Sequence, residues 1–275
     1  MPRSPTAVLA RIAATLCLAS FGGALAVSQA WALDGGADTA RLLSFGGMCL
    51  NCELSGRKLP DAKFLGANFT GASMVGSDLH GAYFFGSDFS GADLARADLH
   101  GAIVFGSDFT NVDFTDANLS SISGHGTDFG GANLTRTNFQ GANLIGANLV
   151  KANAKDALFN GATFFGANLG QGRYDRAQFR NANLIGADMV GSTFAGADFT
   201  GANLAHSNLT AADLSAAKGL TQPQIDQACS SPTTRLPAGL VGKSCKLGST
   251  GVIVLRAGMP LHAGSPRFIV QTEGQ

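Results

Sequence analysis

The sequence predicts a solenoid of five-residue units, four to a coil, on three observations. A centre, nearly always a large apolar residue, returns every five positions from Leu54 to Leu214, 33 in all and without a slip of phase. Two positions before nearly every centre lies a small residue, as at Ala62, Ala67, Ala72, Ser77 and Ala82. Outside these two positions a second period of 20 runs along the chain. Large apolar residues follow the centre at Leu65, Phe85, Phe105, Ile145, Phe165 and Ile185, and charges follow two positions after it at Arg96, Asp116, Arg136, Asp156 and Arg176. Four units per coil is the simplest arrangement that stacks both sets into columns. A period of five matches neither a helix nor a simple strand, and so short a repeat sets the architecture before local propensity is consulted.

The chain opens with Arg3 and Arg11, an apolar stretch over 12–27 and Ala30-Trp31-Ala32. That is the pattern of a secretory signal peptide over residues 1–32, too short in its apolar run to span a bilayer. A periplasmic or secreted protein is expected, cleaved after Ala32. Lipid attachment at Cys17 is disfavoured by the bulky Leu16 beside it. Without the leader, 17 basic residues face 19 acidic ones, a net charge of −2. No basic stripe of the kind nucleic-acid binders carry is present, and no second long apolar run follows, so neither nucleic acid nor membrane insertion is expected. Cys49, Cys52, Cys229 and Cys245 remain, an even number that suggests disulfides with three possible pairings.

Residues 33–51 lack the repeat and are expected to cap its N-terminal end. The repeat proper occupies 52–214, with units such as Ala67-Asn68-Phe69-Thr70-Gly71 and Ala142-Asn143-Leu144-Ile145-Gly146. These A-(D/N)-(L/F)-x-G units resemble the pentapeptide-repeat family over about 60% of the chain. The resemblance implies an all-β solenoid, a right-handed quadrilateral β-helix, with each centre and the small residue two before it pointing inward. About eight coils at the strand spacing give a rod on the order of 40 Å long. Asn or Asp before the centre and Gly at the corner suit tight turns. Two places break the volume pattern: Gly124 is a centre with Ile122 at the small position before it, and the undersized centre Ala154 is followed 20 residues later by Tyr174. In each, the larger residue is expected to fill space that the smaller one leaves.

Met48-Cys49-Leu50-Asn51-Cys52-Glu53-Leu54-Ser55-Gly56 is similar to the CxxC opening of exported members of the family. A structural role for Cys49 and Cys52, as buried thiols or a local disulfide, is expected ahead of redox or zinc chemistry. After the repeat, residues 215–245 hold Thr221 as an N-cap, Pro223 in a first helical turn, and Ile225 and Ala228 three apart. With Thr234-Arg235-Leu236-Pro237-Ala238-Gly239-Leu240 this segment resembles the tail that closes many such solenoids, implying a short C-terminal α-helical cap. A Cys229–Cys245 disulfide is the first choice there, and its 17-residue loop would contribute about 3 kcal/mol in the loop-entropy account. Beyond it, 246–275 forms a tail in which Val252-Ile253-Val254-Leu255 and Phe268-Ile269-Val270 read as two short strands.

Searching for chemistry yields little. His80 and His100 share an outward column but make a poor metal pair. Asp88, Asp108 and Asp128 form an acidic column that turn geometry explains better than Ca²⁺. No nucleophile–base set and no phosphate loop stands out, so neither an enzyme nor a cofactor is expected. Each charge of the Arg96–Arg176 column is expected to sit between two of opposite sign. The column Leu65, Phe85, Phe105, Ile145, Phe165 and Ile185 is flanked by Tyr83 and Ile103 and interrupted only by His125. It is the candidate interaction face, because soluble monomers seldom leave such a strip in water. Glycines 66, 86, 106, 126, 146, 166 and 186 beside it would admit another backbone. Its occupant is expected to be a second copy, this chain's own tail or another protein. A non-enzymatic interaction scaffold is the leading expectation. DNA mimicry against a topoisomerase, which some relatives perform, is disfavoured by the leader and the near-neutral charge, as is a metal-binding role.

Overall fold

Each coil closes on itself because a tight corner follows every centre. In a computed structural model of the chain, which describes residues 47–244, the amide of Ala72 donates to the carbonyl of Phe69 at 2.9 Å across such a corner. The residue between them in the turn, Gly71, has φ of 66°, the left-handed region that a type II turn demands at its third position. Asx turns supply the second constraint. The Asp88 carboxylate accepts from the Ser90 amide at 2.8 Å and Asp108 from Thr110 at 2.8 Å, which accounts for Asp or Asn before the centre. The leader, residues 33–46, Cys245 and the tail 246–275 lie outside the described residues.

Stacked coils pair in parallel, from Met48↔Asn68 to Asp198↔Lys218, always at a separation of 20. Every coil is therefore four units. The residue before a centre donates backward and the centre donates forward: Asp88 N to Ala67 O at 2.8 Å, Phe89 N to Asp108 O at 2.8 Å. Pairing lengthens beyond single bridges in one place, where β1 (Lys63–Leu65) lies parallel to β2 (Tyr83–Phe85) with Phe64 opposite Phe84.

The core follows from this register. Centres and small positions are buried while the three residues between them reach the surface. Identical rings fall over one another: Phe64 on Phe84 at 5.0 Å, Phe69 on Phe89 at 4.9 Å, Phe159 on Phe179 at 5.0 Å, close to the strand spacing. Adjacent columns meet edge to face, as Phe84 and Phe89 do at 4.9 Å, the arrangement ring quadrupoles favour. Where Ser or Thr takes the small position, its hydroxyl is buried, and all but that of Ser77 donate to a backbone carbonyl. Ser107 donates to Phe84 O at 2.8 Å, Thr127 to Val104 O at 2.7 Å and Thr137 to Phe114 O at 2.8 Å.

Both volume irregularities are repacked locally. A Cβ on Gly124 would lie 3.1–3.2 Å from Leu144, Thr127 and Val104, so neighbours already close over that centre, beside a buried Ile122. Tyr174 is fully buried, stacks on Phe194 at 5.1 Å and directs its hydroxyl to Leu149 O at 3.4 Å, in the coil that carries Ala154. Its ring also needs Gly172, where an added Cβ would lie 2.5 Å from the ring.

Beyond Leu214 the pairing separation grows to 21 at Asn208↔Cys229 and 22 at Asp213↔Arg235. The extra residues accommodate α1 (Gln222–Gln227), with Thr221 at its N-cap, Pro223 in its first turn and Ile225 buried. Gln224 Nε2 donates to Phe199 O at 3.1 Å and to Ala202 O at 2.7 Å; Ala202 O is the carbonyl that an amide of a further coil would otherwise meet.

The charge column does not alternate continuously. Arg136 holds Asp116 through two bonds of 2.6 Å, and Arg176 holds Asp156 through bonds of 2.7 and 2.6 Å. Arg96 forms no ion pair among the described residues. Bidentate geometry explains the correction: a guanidinium fork satisfied by one carboxylate below has no second fork for the one above. The Arg136 and Arg176 bonds keep the Asp116 and Asp156 carboxyls below their ordinary range.

Two predictions follow from the packing. Gly172→Ala should destabilise by about 1–3 kcal/mol, the usual cost of overpacking, and combination with Tyr174→Leu should recover part of it. A double-mutant cycle by denaturant unfolding checks this, and simple additivity would refute the clash. The second concerns Asp198, which is held at about 2, first by the Thr200 hydroxyl and then by the Thr200 amide and Arg180, against an opposing desolvation. A lowered folded pKa means that its contribution is full above the unfolded value of about 4 and is lost as pH falls through about 2. The stability gap between wild type and Asp198→Asn should be flat above that window and shrink within it.

Candidate functional site

The residues just after the centres on the β1–β2 side form the candidate site. In β2, Tyr83 and Phe85 point outward on either side of the buried Phe84, by strand alternation. Leu65 is 47% exposed, Phe85 58% and Tyr83 42%. Ile103, Phe105, Ile145, Phe165 and Ile185 continue the side and are half-buried by their neighbours above and below. Pairing at a separation of 20 places Leu65 directly opposite Phe85, and the same separation carries the column onward to Ile185.

His125 does not interrupt the column. Its ring stacks on Phe105 at 5.0 Å and 7°, so an aromatic face continues where the sequence shows a polar residue. This stacking also sets the ring planes across the rod, with edges outward. The flanking Gly86 and Gly106 adopt φ of 57° and 58°, a backbone conformation that the corner needs, and the space beside each is open, with nothing within 4 Å of an added Cβ.

Other candidates separate. His80 turns to Asp78 at 2.6 Å, while His100 meets Ser120 at 2.9 Å, so the two rings take different partners. The Asp78 hydrogen bond raises the His80 pKa. Asp88, Asp108 and Asp128 are occupied as turn acceptors for Ser90, Thr110 and Gly130. Among the described residues no group of three or more His, Cys, Asp or Glu could hold a metal ion. Cys49 and Cys52 are joined in a disulfide with Cα atoms 5.3 Å apart. Cys229 is disulfide-bonded, and the Cys229–Cys245 pairing falls outside the described residues at Cys245.

The pentapeptide-repeat pattern matches in 8 copies over residues 49–173 and 176–215. No curated protein matches the chain. Among solved structures it is similar to HetL, a pentapeptide repeat protein involved in heterocyst differentiation regulation, from the cyanobacterium Nostoc sp. strain PCC 7120. That match has 26% identity and a TM-score of 0.48, covering 70% of this chain and 88% of HetL. It is also similar to AT2G44920, a pentapeptide repeat protein of the Arabidopsis thaliana thylakoid lumen, at 32% identity and a TM-score of 0.29, covering 36% of this chain and 65% of that one. Rfr23 from the cyanobacterium Cyanothece 51142 matches at 23% identity and a TM-score of 0.19, over 43% of this chain and 87% of its own. Pentapeptide repeat proteins form right-handed quadrilateral β-helices and are generally non-enzymatic scaffolds. With its inward centres, its 20-residue coils and this match along most of its length, the chain belongs to the pentapeptide-repeat family.

Proposed function

We propose that the protein is an exported interaction scaffold that contacts a protein partner, or a second copy of itself, through the apolar column. The observation that carries this reading is the exposure of Leu65, Tyr83 and Phe85 on one side of a rod whose other sides present turn-bound Asp, Asn, Ser and Thr. The fold does not require that exposure. Positions after the centre face outward, and elsewhere they hold residues such as Thr70, Ser90 and Ala95 without loss of the coil. An apolar strip along several coils therefore points to a surface that leaves water in use. Export rests on the leader pattern of residues 1–32, and the net charge of −2 beyond it weighs against mimicry of DNA.

Light scattering on a sizing column tests the reading. Residues 33–275 should run as a dimer, or bind a partner, and Phe85→Asp/Phe105→Asp/Phe165→Asp should abolish that association while leaving the rod folded. A triple variant that associates as wild type does would remove the column from the contact.

A further inference from the structure

We propose that the C-terminal half of the apolar column is covered by this chain's own tail, through Val252-Ile253-Val254-Leu255, leaving the Leu65–Phe85 end for an outside contact. The inference rests on the reading of the column as a contact surface and assigns an occupant to half of it.

The first argument is where the described chain ends. Bridges run without a break from Asn68 through Asp88, Asp108, Asp128, Asn148, Asn168, Asp188 and Asn208 to Cys229. This ladder lies three residues past the apolar column, on the adjoining side of the rod. Ser244, the last described residue, bridges Ser230 and so sits at the top of that same side. Three bridge steps, roughly 15 Å at the strand spacing, separate Ser244 from Asp188, level with Ile185. Residues 245–251 span up to about 23 Å when extended. The four apolar residues that follow reach Ile185 and Phe165 without strain.

The second argument is that the surface changes character where the tail would arrive. The position after the centre on the ladder side is Thr70, Ser90, Thr110 and Gly130 in the N-terminal half and Val150, Gly170, Val190 and Thr210 in the C-terminal half, with Val150 and Val190 half-buried. Ile145 and Ile185 thus gain an apolar neighbour around the corner, which no residue of the column's N-terminal half has. Charge is the third argument. Beside and just below the C-terminal half of the column the ladder carries Asp188 and Asp128 and no cation, whereas residues 246–275 hold Lys246, Arg256 and Arg267 against Glu273 alone. Arg256 directly follows the apolar run, placed to meet the acidic edge as the run meets the column.

Photocrosslinking within the full chain tests this. A p-benzoyl-phenylalanine label replaces Phe165, and separately Ile145, in an equimolar mixture of unlabelled and ¹⁵N-labelled protein. The expected product joins the label to residues 249–258 of the same isotopic chain. It should fall by about tenfold or more with Ile253→Asp/Val254→Asp, since a carboxylate is costly in apolar contact. Crosslinks between light and heavy chains, crosslinks to other segments, or none at all would overturn the proposal. The outer contact is read separately, from the mass in solution of a Leu65→Asp/Phe85→Asp variant that leaves Phe165 intact, so loss of the tail contact and loss of the outer contact face register in different measurements.

Discussion

Everything in this rod depends on the parallel backbone bond that sets residue i over residue i + 20. Parallel ladders tolerate no drift, because a slip of one residue would turn the inward centres outward along the whole coil. Closing a coil in 20 residues requires four corners, and each corner requires one residue in the left-handed region. Glycine occupies most of these positions, but Arg96, Asp116, Arg136, Asp156 and Arg176 adopt φ of 57–60°, a conformation that costs an L-residue about 1–2 kcal/mol. The bidentate bonds of Arg136 and Arg176 offset part of that cost, though exposed pairs contribute only about 0.2–1 kcal/mol.

Once register is set, similar residues meet similar residues, and the consequences differ by chemistry. Stacked phenylalanines bury their faces and need no partner. Stacked carboxylates would repel, yet the acidic ladders hold because each Asp accepts from its own turn, and Asn follows in the same column. Asn148 donates to Asp128 at 2.9 Å and Asn118 to Asp98 at 2.9 Å. An outward apolar column has no such internal resolution. Neighbours above and below shield the flanks of each side chain, and the outer edges still face water. Leu65, Tyr83 and Phe85 are therefore the least explained by folding alone, which is why function is sought there.

Much of this was legible in the chain itself. The inward pattern, the 20-residue coil and the apolar column follow from phase, which needs no coordinates. Capping chemistry was legible as well, since Thr221 and Pro223 mark the start of a helix locally. Less legible were contacts that depend on a neighbouring coil. Gly172 reads as one more small residue until the ring of Tyr174 is seen to occupy the space its Cβ would need. His125 reads as a break until it stacks on Phe105.

Phase along the chain sets the period, the identity of the core and which residues share a side, because a strict repeat makes every coil nearly equivalent to the next. Folding in three dimensions chose the neighbour of each polar group. It resolved an alternating row of charges into two bidentate pairs, sent the two histidines to different partners, and turned the buried hydroxyls of Ser107 and Thr127 onto carbonyls of the coil before. Those choices turn on rotamers and on distances of a few ångströms between residues about 20 apart in sequence, which no pattern along the chain encodes.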